Sequence, residues 1–76
     1  MKAYILITIR TGQISKVVKH LQRLDSVIEA TMTFGPYDAV AVVEGGTVHD
    51  IGHIMAEEIQ PIPGVLETLT CLAIHA

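Results

Sequence analysis

DAVAVVE, residues 38–44, decides the fold. Read as a strand, it places Ala39, Ala41 and Val43 on one face and Val40 and Val42 on the other. Both faces are apolar. A strand covered by helices on one side only would normally alternate with polar residues on the other. The segment therefore asks for two covers, and the rest of the chain must supply them.

Upstream, residues 3–10 (AYILITIR) alternate as a β-rich run, with Ile5, Ile7 and Ile9 on one face and Tyr4, Leu6 and Thr8 on the other. Thr11-Gly12-Gln13 breaks the run and the period changes. Ile14, Val17, Val18, Leu21 and Leu24 follow the spacing of an amphipathic helix that ends near Asp25-Ser26. Residues 27–34 read as a second strand and DAVAVVE as the third. Gly45-Gly46 closes the third strand, and Thr47 with Asp50 resembles a helix N-cap with an acidic partner. Val48, Ile51, Met55 and Ile59 mark a second helix, stopped by Pro61 and Pro63. Residues 65–75 read as a fourth strand, with Leu66, Thr68, Thr70, Leu72 and Ile74 on one face.

The order is βαββαβ: an α+β, ferredoxin-like chain with a four-stranded antiparallel sheet. Right-handed crossovers put strands one and three in the centre and both helices on one sheet face. The helices can pack on Ile5, Ile7, Ile9 and either face of strand three. The other sheet face, expected to carry Leu6, apolar residues of strand three, Leu66, Leu72 and Ile74, has no helix left to cover it. Hydrophobic residues are 50% of the chain and charged ones 17%, against roughly 25% charged in an average globular domain. At 76 residues this is one small domain, hiding only about 60% of its unfolded surface. Pairing of two uncovered faces is the expected remedy. At about 25 cal/mol per Å², several hundred Å² of apolar contact contributes several kcal/mol, comparable to a small domain's whole stability.

Charge and cysteine usage narrow the function classes. Five Lys and Arg stand against eight Asp and Glu, a net charge of −3. No concentrated basic surface of the kind nucleic acids need is present, so direct nucleic-acid binding is not expected. A single cysteine excludes an intrachain disulfide and argues against a disulfide-stabilised secreted fold. No apolar run reaches the roughly 18 residues of a membrane span, and a cytoplasmic protein is expected. Cys71 reads as a small packed core thiol on the last strand.

Chemistry-bearing motifs are sparse. His49 and His53 are four apart on the second helix but lack a third ligand, so no metal site is assigned. No Walker loop, G-x-G-x-x-G or G-x-S-x-G elbow occurs. No catalytic set and no cofactor are expected. What remains is Gly35-Pro36-Tyr37-Asp38. Proline and glycine suit a plain turn. Yet Tyr37 is one of only three aromatic residues and stands beside a carboxylate on a loop, where binding residues tend to lie. Turn and site are evenly matched on this ground.

Three local features, AYILITIRTG at the start, FGPYDAVAVVE with its G-x-Y-D pattern, and IPGVLETLT, give the whole chain a resemblance to the C-terminal effector domain of the Lrp/AsnC regulators, the RAM domain. The helix-turn-helix that precedes this domain in the family has no room before Ala3, so the likeness is to a stand-alone form spanning residues 1–76. The resemblance implies dimers through the sheet faces, assembly of dimers into a larger ring, and an effector pocket between dimers for an amino acid or similar small molecule. It also implies hetero-association with full-length regulators of the family. Carried over by position, Gly35 would let the loop backbone approach the ligand, and Asp38 would brace the loop or meet an ammonium. Tyr37 would wall the pocket, and Thr68 and Thr70 would offer hydroxyl or main-chain contacts. Glu57 and Glu58 are weaker candidates for the ammonium. Phe34 departs from the small polar residue common before the glycine, and Pro36 stiffens the loop. Two other readings stand beside this one. One is a dimeric α+β-barrel enzyme, which activity dependent on His20 or His75 would reveal. The other is a purely structural oligomerisation unit.

Overall fold

The computed structural model describes residues 1–74. Four strands, β1 (Lys2–Ile9), β2 (Val27–Met32), β3 (Ala39–Glu44) and β4 (Val65–Leu72), form one sheet in the order β2-β3-β1-β4. Every neighbouring pair is antiparallel, with β1 and β3 in the centre. This is the expected ferredoxin-like arrangement. Among the described residues no helix is long and apolar enough to cross a membrane.

Helix α1 (Ile14–Arg23) buries Val17, Val18 and Leu21 against the sheet, and its last turn carries His20 and Arg23, whose positions favour the negative end of the helix dipole. Helix α2 (Val48–Ile54) starts in a complete capping box. The Asp50 N–H donates to Thr47 Oγ1 and the Thr47 N–H donates to Asp50 Oδ2, both at 3.1 Å. From Met55 to Ile59 the chain widens into a π-helical turn, and the Gln60 N–H donates to the Met55 carbonyl at 2.9 Å. Periodicity predicts one continuous helix through Ile59, and the structure departs from it here. The π-turn leaves Met55 and Ile59 buried and determines where Gln60 points.

The core lies between the helices and one sheet face. Ala3, Ile5, Ile7, Ala39, Ala41 and Val43 are fully buried there with Val17, Leu21 and Ile59. Antiparallel partners share a face, so the β1 pairings settle the sidedness of β4: Ile7 pairs with Thr68, Ile5 with Thr70 and Ala3 with Leu72. Thr68, Thr70 and Leu72 therefore lie on the helix side. This corrects the expected placement of Leu72 on the uncovered face. Leu69 and Cys71 occupy that face instead, opposite Leu6 and Tyr4. Cys71 is correspondingly an exposed thiol, not a core one. Leu66 falls at the step where Thr8 pairs with Glu67 but Ile9 with Val65. Ile74 lies beyond the end of β4, 90% exposed, and His75, where the strand was expected to finish, lies outside the described residues.

The uncovered face is thus built from Tyr4, Leu6, Val40, Val42, Leu69 and Cys71, with Glu29, Glu44 and Glu67 toward its margin. Tyr4 and Leu69 are 42% and 50% exposed. This face needs the second cover that DAVAVVE asks for, and none of the described residues of a single chain provides it.

Candidate functional site

The site is built around the end of β1. The loop from Thr33 to Asp38 joins β2 to β3 and is tied down at four points. The Thr33 N–H donates to the Asp38 carbonyl at 3.0 Å, and Thr33 Oγ1 donates to the Tyr37 carbonyl at 2.7 Å. The Asp38 N–H donates to the Ile7 carbonyl at 2.9 Å. Most telling, Asp38 Oδ2 accepts the Ile9 N–H at 2.7 Å in a half-buried setting. The carboxylate here replaces the strand partner that β3 would otherwise offer at the end of β1, and charge assistance makes this a strong bond. Gly35 adopts φ +154°, in a region side chains rarely enter, with open space where a Cβ would stand. Tyr37 and Asp38 are half-buried while Phe34 is wholly exposed.

A second anchor lies on the other side of β1. The Arg10 N–H donates to the Gly64 carbonyl at 2.7 Å, binding the Pro63-Gly64-Val65 turn to the strand end. Gly64 has φ +103°, and a Cβ there would meet Gln13 Cβ at 3.0 Å and Val17 Cγ2 at 3.1 Å. The left-handed backbone and the tight approach to Gln13 and Val17 both favour glycine here. From this turn β4 departs. Gln60 Nε2 donates to Thr68 Oγ1 at 3.1 Å, and Gln60, Val65, Leu66, Glu67 and Thr68 border a hollow of about 330 Å³. Thr70 borders a different and more apolar hollow, of similar size, with Ile51, Met55, Ala56 and Leu72 beside α2.

The five residues singled out from the sequence consequently fall in two groups. Gly35, Tyr37 and Asp38 share one braced loop on the β3 side of β1. Thr68 and Thr70 sit on the β4 side, and neither hollow that they border includes a residue of the loop. Glu58 accepts a hydrogen bond from Ser26 Oγ at 3.2 Å, which commits its carboxylate to the turn between α1 and β2. Glu57 is exposed. His49 and His53 are exposed on α2, and His20 is exposed on α1. Sequence reading missed two residues at this end of the sheet, Arg10 and Gln60. Arg10 carries no motif, and the direction of Gln60 depends on a π-turn that periodicity does not signal.

Comparison with known proteins gives a consistent picture. The family model described as the Lrp/AsnC ligand binding domain matches residues 2–76. The HTH-type transcriptional regulator Ptr1 of Methanocaldococcus jannaschii is 30% identical over 57 residues, 75% of this chain and 38% of Ptr1, so the chain spans well under half of that relative's length. The crystal structure of TTHA0845 from Thermus thermophilus superposes with a TM-score of 0.91 at 31% identity, covering 99% of this chain and 94% of that one. The transcriptional regulator NMB0573 of Neisseria meningitidis, solved as its L-Met complex, shares the fold at 13% identity and a TM-score of 0.85, over 97% of this chain and 49% of its own.

Proposed function

The chain belongs to the Lrp/AsnC ligand-binding domain family, and from that premise we propose that it is a non-enzymatic regulatory module that binds an amino acid or closely related small molecule in the cytoplasm. In this reading Asp38, Gly35 and Tyr37 form one half of the effector site and Thr68 and Thr70 the other. The two halves lie on opposite sides of β1 within a protomer, so copies arranged in a ring would complete the site by bringing a loop from one against a β4 wall from another. Dimers form through the Tyr4, Leu6, Val40, Val42, Leu69 and Cys71 face, and the same contacts would admit full-length regulators of the family as partners.

The observation that carries the reading is the Asp38 brace. A plain turn between strands needs no acidic side chain to hold the adjacent strand end, and here one carboxylate oxygen fixes Ile9 while the side chain as a whole stays partly open to solvent. Rigid loops of this kind suit ligand recognition, because little ordering entropy remains to be lost on binding. The L-Met complex of the Neisseria regulator supports an amino acid as the ligand class.

The test is a thermal-shift scan of the purified protein against the twenty L-amino acids at millimolar concentration. A ligand at 100 times its Kd adds about 2.7 kcal/mol, several degrees in a domain of this size. The expected result is stabilisation by one or a few amino acids, lost in Asp38→Asn. A flat response across the panel would leave the oligomerisation unit as the better account.

A further inference from the structure

We infer that a basic stripe on α1 docks on an acidic corner of a second copy of this chain, joining copies through their helix layers. The inference does not need the effector reading, and it uses the side of the molecule opposite the uncovered sheet face. Its ground is a segregation of charge along the chain. All five Lys and Arg lie within residues 1–23, and all eight Asp and Glu lie within residues 24–76. Three of the five cations, Lys16, Lys19 and Arg23, stand on α1 with His20, and all four residues are exposed. Their offsets from Lys16 of three, four and seven residues make one stripe. It lies on the side of the helix away from the buried Val17 and Leu21.

Little within α1 favours this arrangement, Arg23 in the last turn apart. Lys16 with Lys19, and Lys19 with Arg23, are like-charged neighbours at three and four residues, which destabilises a helix. No acidic residue lies within Ile14–Arg23 to offset them, and the first turn, where the helix dipole favours carboxylates, has none. Lys16 and His20 also border a hollow of about 270 Å³ with Gln13, Ile62 and Pro63, a recess that a partner's side chain can enter. The complement lies on the chain itself. Ser26 Oγ donates to Glu58 Oε2 at 3.2 Å, which joins the turn after α1 to the π-turn. Asp25 and Glu57, next to these two residues in sequence, are exposed. This acidic corner follows the last turn of α1, while Lys16 lies about 10 Å back along the helix axis from Arg23. Two copies with α1 antiparallel across a two-fold axis set each stripe against the other's corner, so that every attraction occurs twice. Three cations over two turns fall short of the extended basic footprint of a nucleic-acid surface.

The experiment is sedimentation velocity on the full chain without ligand, at about 0.01 M and about 1 M salt, between which the screening length falls from about 30 Å to about 3 Å. The wild-type protein is expected to form a larger species at low salt than at high salt, because screening weakens the stripe contact and leaves the apolar sheet contact intact. Lys16→Glu with Lys19→Glu, and separately Asp25→Lys with Glu57→Lys, turn the contact into like-charge repulsion and should weaken the low-salt association at least about 10-fold. Glu58 is kept because it holds Ser26. Mixing the two double variants, each shown to be folded by circular dichroism, should restore the larger species, since a reversed stripe then faces a reversed corner. A wild-type protein of the same size at both salts overturns the inference. So do variants that assemble alone as well as wild type does, or a mixture that stays apart. A wild-type protein that stays small at low salt yet binds a duplex DNA, with binding lost in Lys16→Glu with Lys19→Glu, assigns the stripe to a polyanion and overturns the second copy as its occupant. None of these outcomes depends on whether an amino acid binds.

Discussion

Replacing Asp38 by alanine and by asparagine separates the strand brace that its carboxylate makes from the ligand contact proposed for it. The structural duty can be sized from the fold. Asp38→Ala removes the acceptor of the Ile9 N–H, a 2.7 Å bond in a half-buried setting, and leaves that donor without a partner beside the core residue Ile9, which is 5% exposed. Hydrogen bonds to charged groups contribute about 1.5–3 kcal/mol, and an orphaned donor costs about 1–3 kcal/mol. A loss of roughly 2 kcal/mol is the central expectation, and at about 4–8 °C per kcal/mol for a domain of this length the Tm should fall by about 8–16 °C. Asparagine retains a carbonyl oxygen that can accept the same bond at lower strength, so Asp38→Asn should lose less than about 1 kcal/mol while surrendering the charge an ammonium would seek. The assay is urea unfolding followed by far-UV circular dichroism, backed by thermal melts at one fixed protein concentration, because association makes Tm concentration-dependent. If Asp38→Ala unfolds within about 0.5 kcal/mol of wild type, the margin of an ordinary surface substitution, then the carboxylate does not hold the strand end and the brace argument fails.

Three further outcomes follow from other parts of the fold. Gly64→Ala should lose at least about 1–3 kcal/mol from its left-handed backbone, and more from the Cβ contacts with Gln13 and Val17. Gly12→Ala, with φ +88° and no atom within 4 Å of the added Cβ, should lose less, and equal losses in urea melts would dismiss the steric part. Thr47→Ala breaks the capping box of α2 and should cost about 1 kcal/mol, seen as a Tm lower by about 4–8 °C. Leu69→Glu places a charge on the uncovered sheet face, where Leu69 is half exposed in the single chain. Sedimentation equilibrium should show a dimer for wild type and a smaller species for the variant, and a Leu69→Glu protein that still dimerises would remove that face from the interface.

Much of the fold was legible from residue pattern alone, for a plain reason. Period-two and period-3.6 repeats report which side of a strand or helix meets apolar surroundings. Ile5, Ile7 and Ile9 on one side, and Val17, Val18 and Leu21 on another, are local statements that packing then obeys. The Thr47 and Asp50 cap was equally local, since both partners lie within one turn. So was the demand of DAVAVVE for two covers, because it concerns only the chemistry of five successive side chains.

What pattern could not reach was everything decided by pairing across the chain. The face on which Cys71 and Leu72 lie depends on the register of β4 against β1, and alternation offers two choices without saying which side holds the helices. The pairings of Ala3 with Leu72 and Tyr4 with Cys71 make that choice. The candidate site shows the same division. Gly35-Pro36-Tyr37-Asp38 announced a turn with a carboxylate, but only tertiary structure brings Asp38 to the Ile9 N–H and Gly64 to the Arg10 N–H. Those bonds join positions far apart in sequence, and their partners are backbone groups that every residue type possesses. Residue identity carries no trace of them, and so the chain alone determined which elements form while the packed sheet decided what meets at the end of β1.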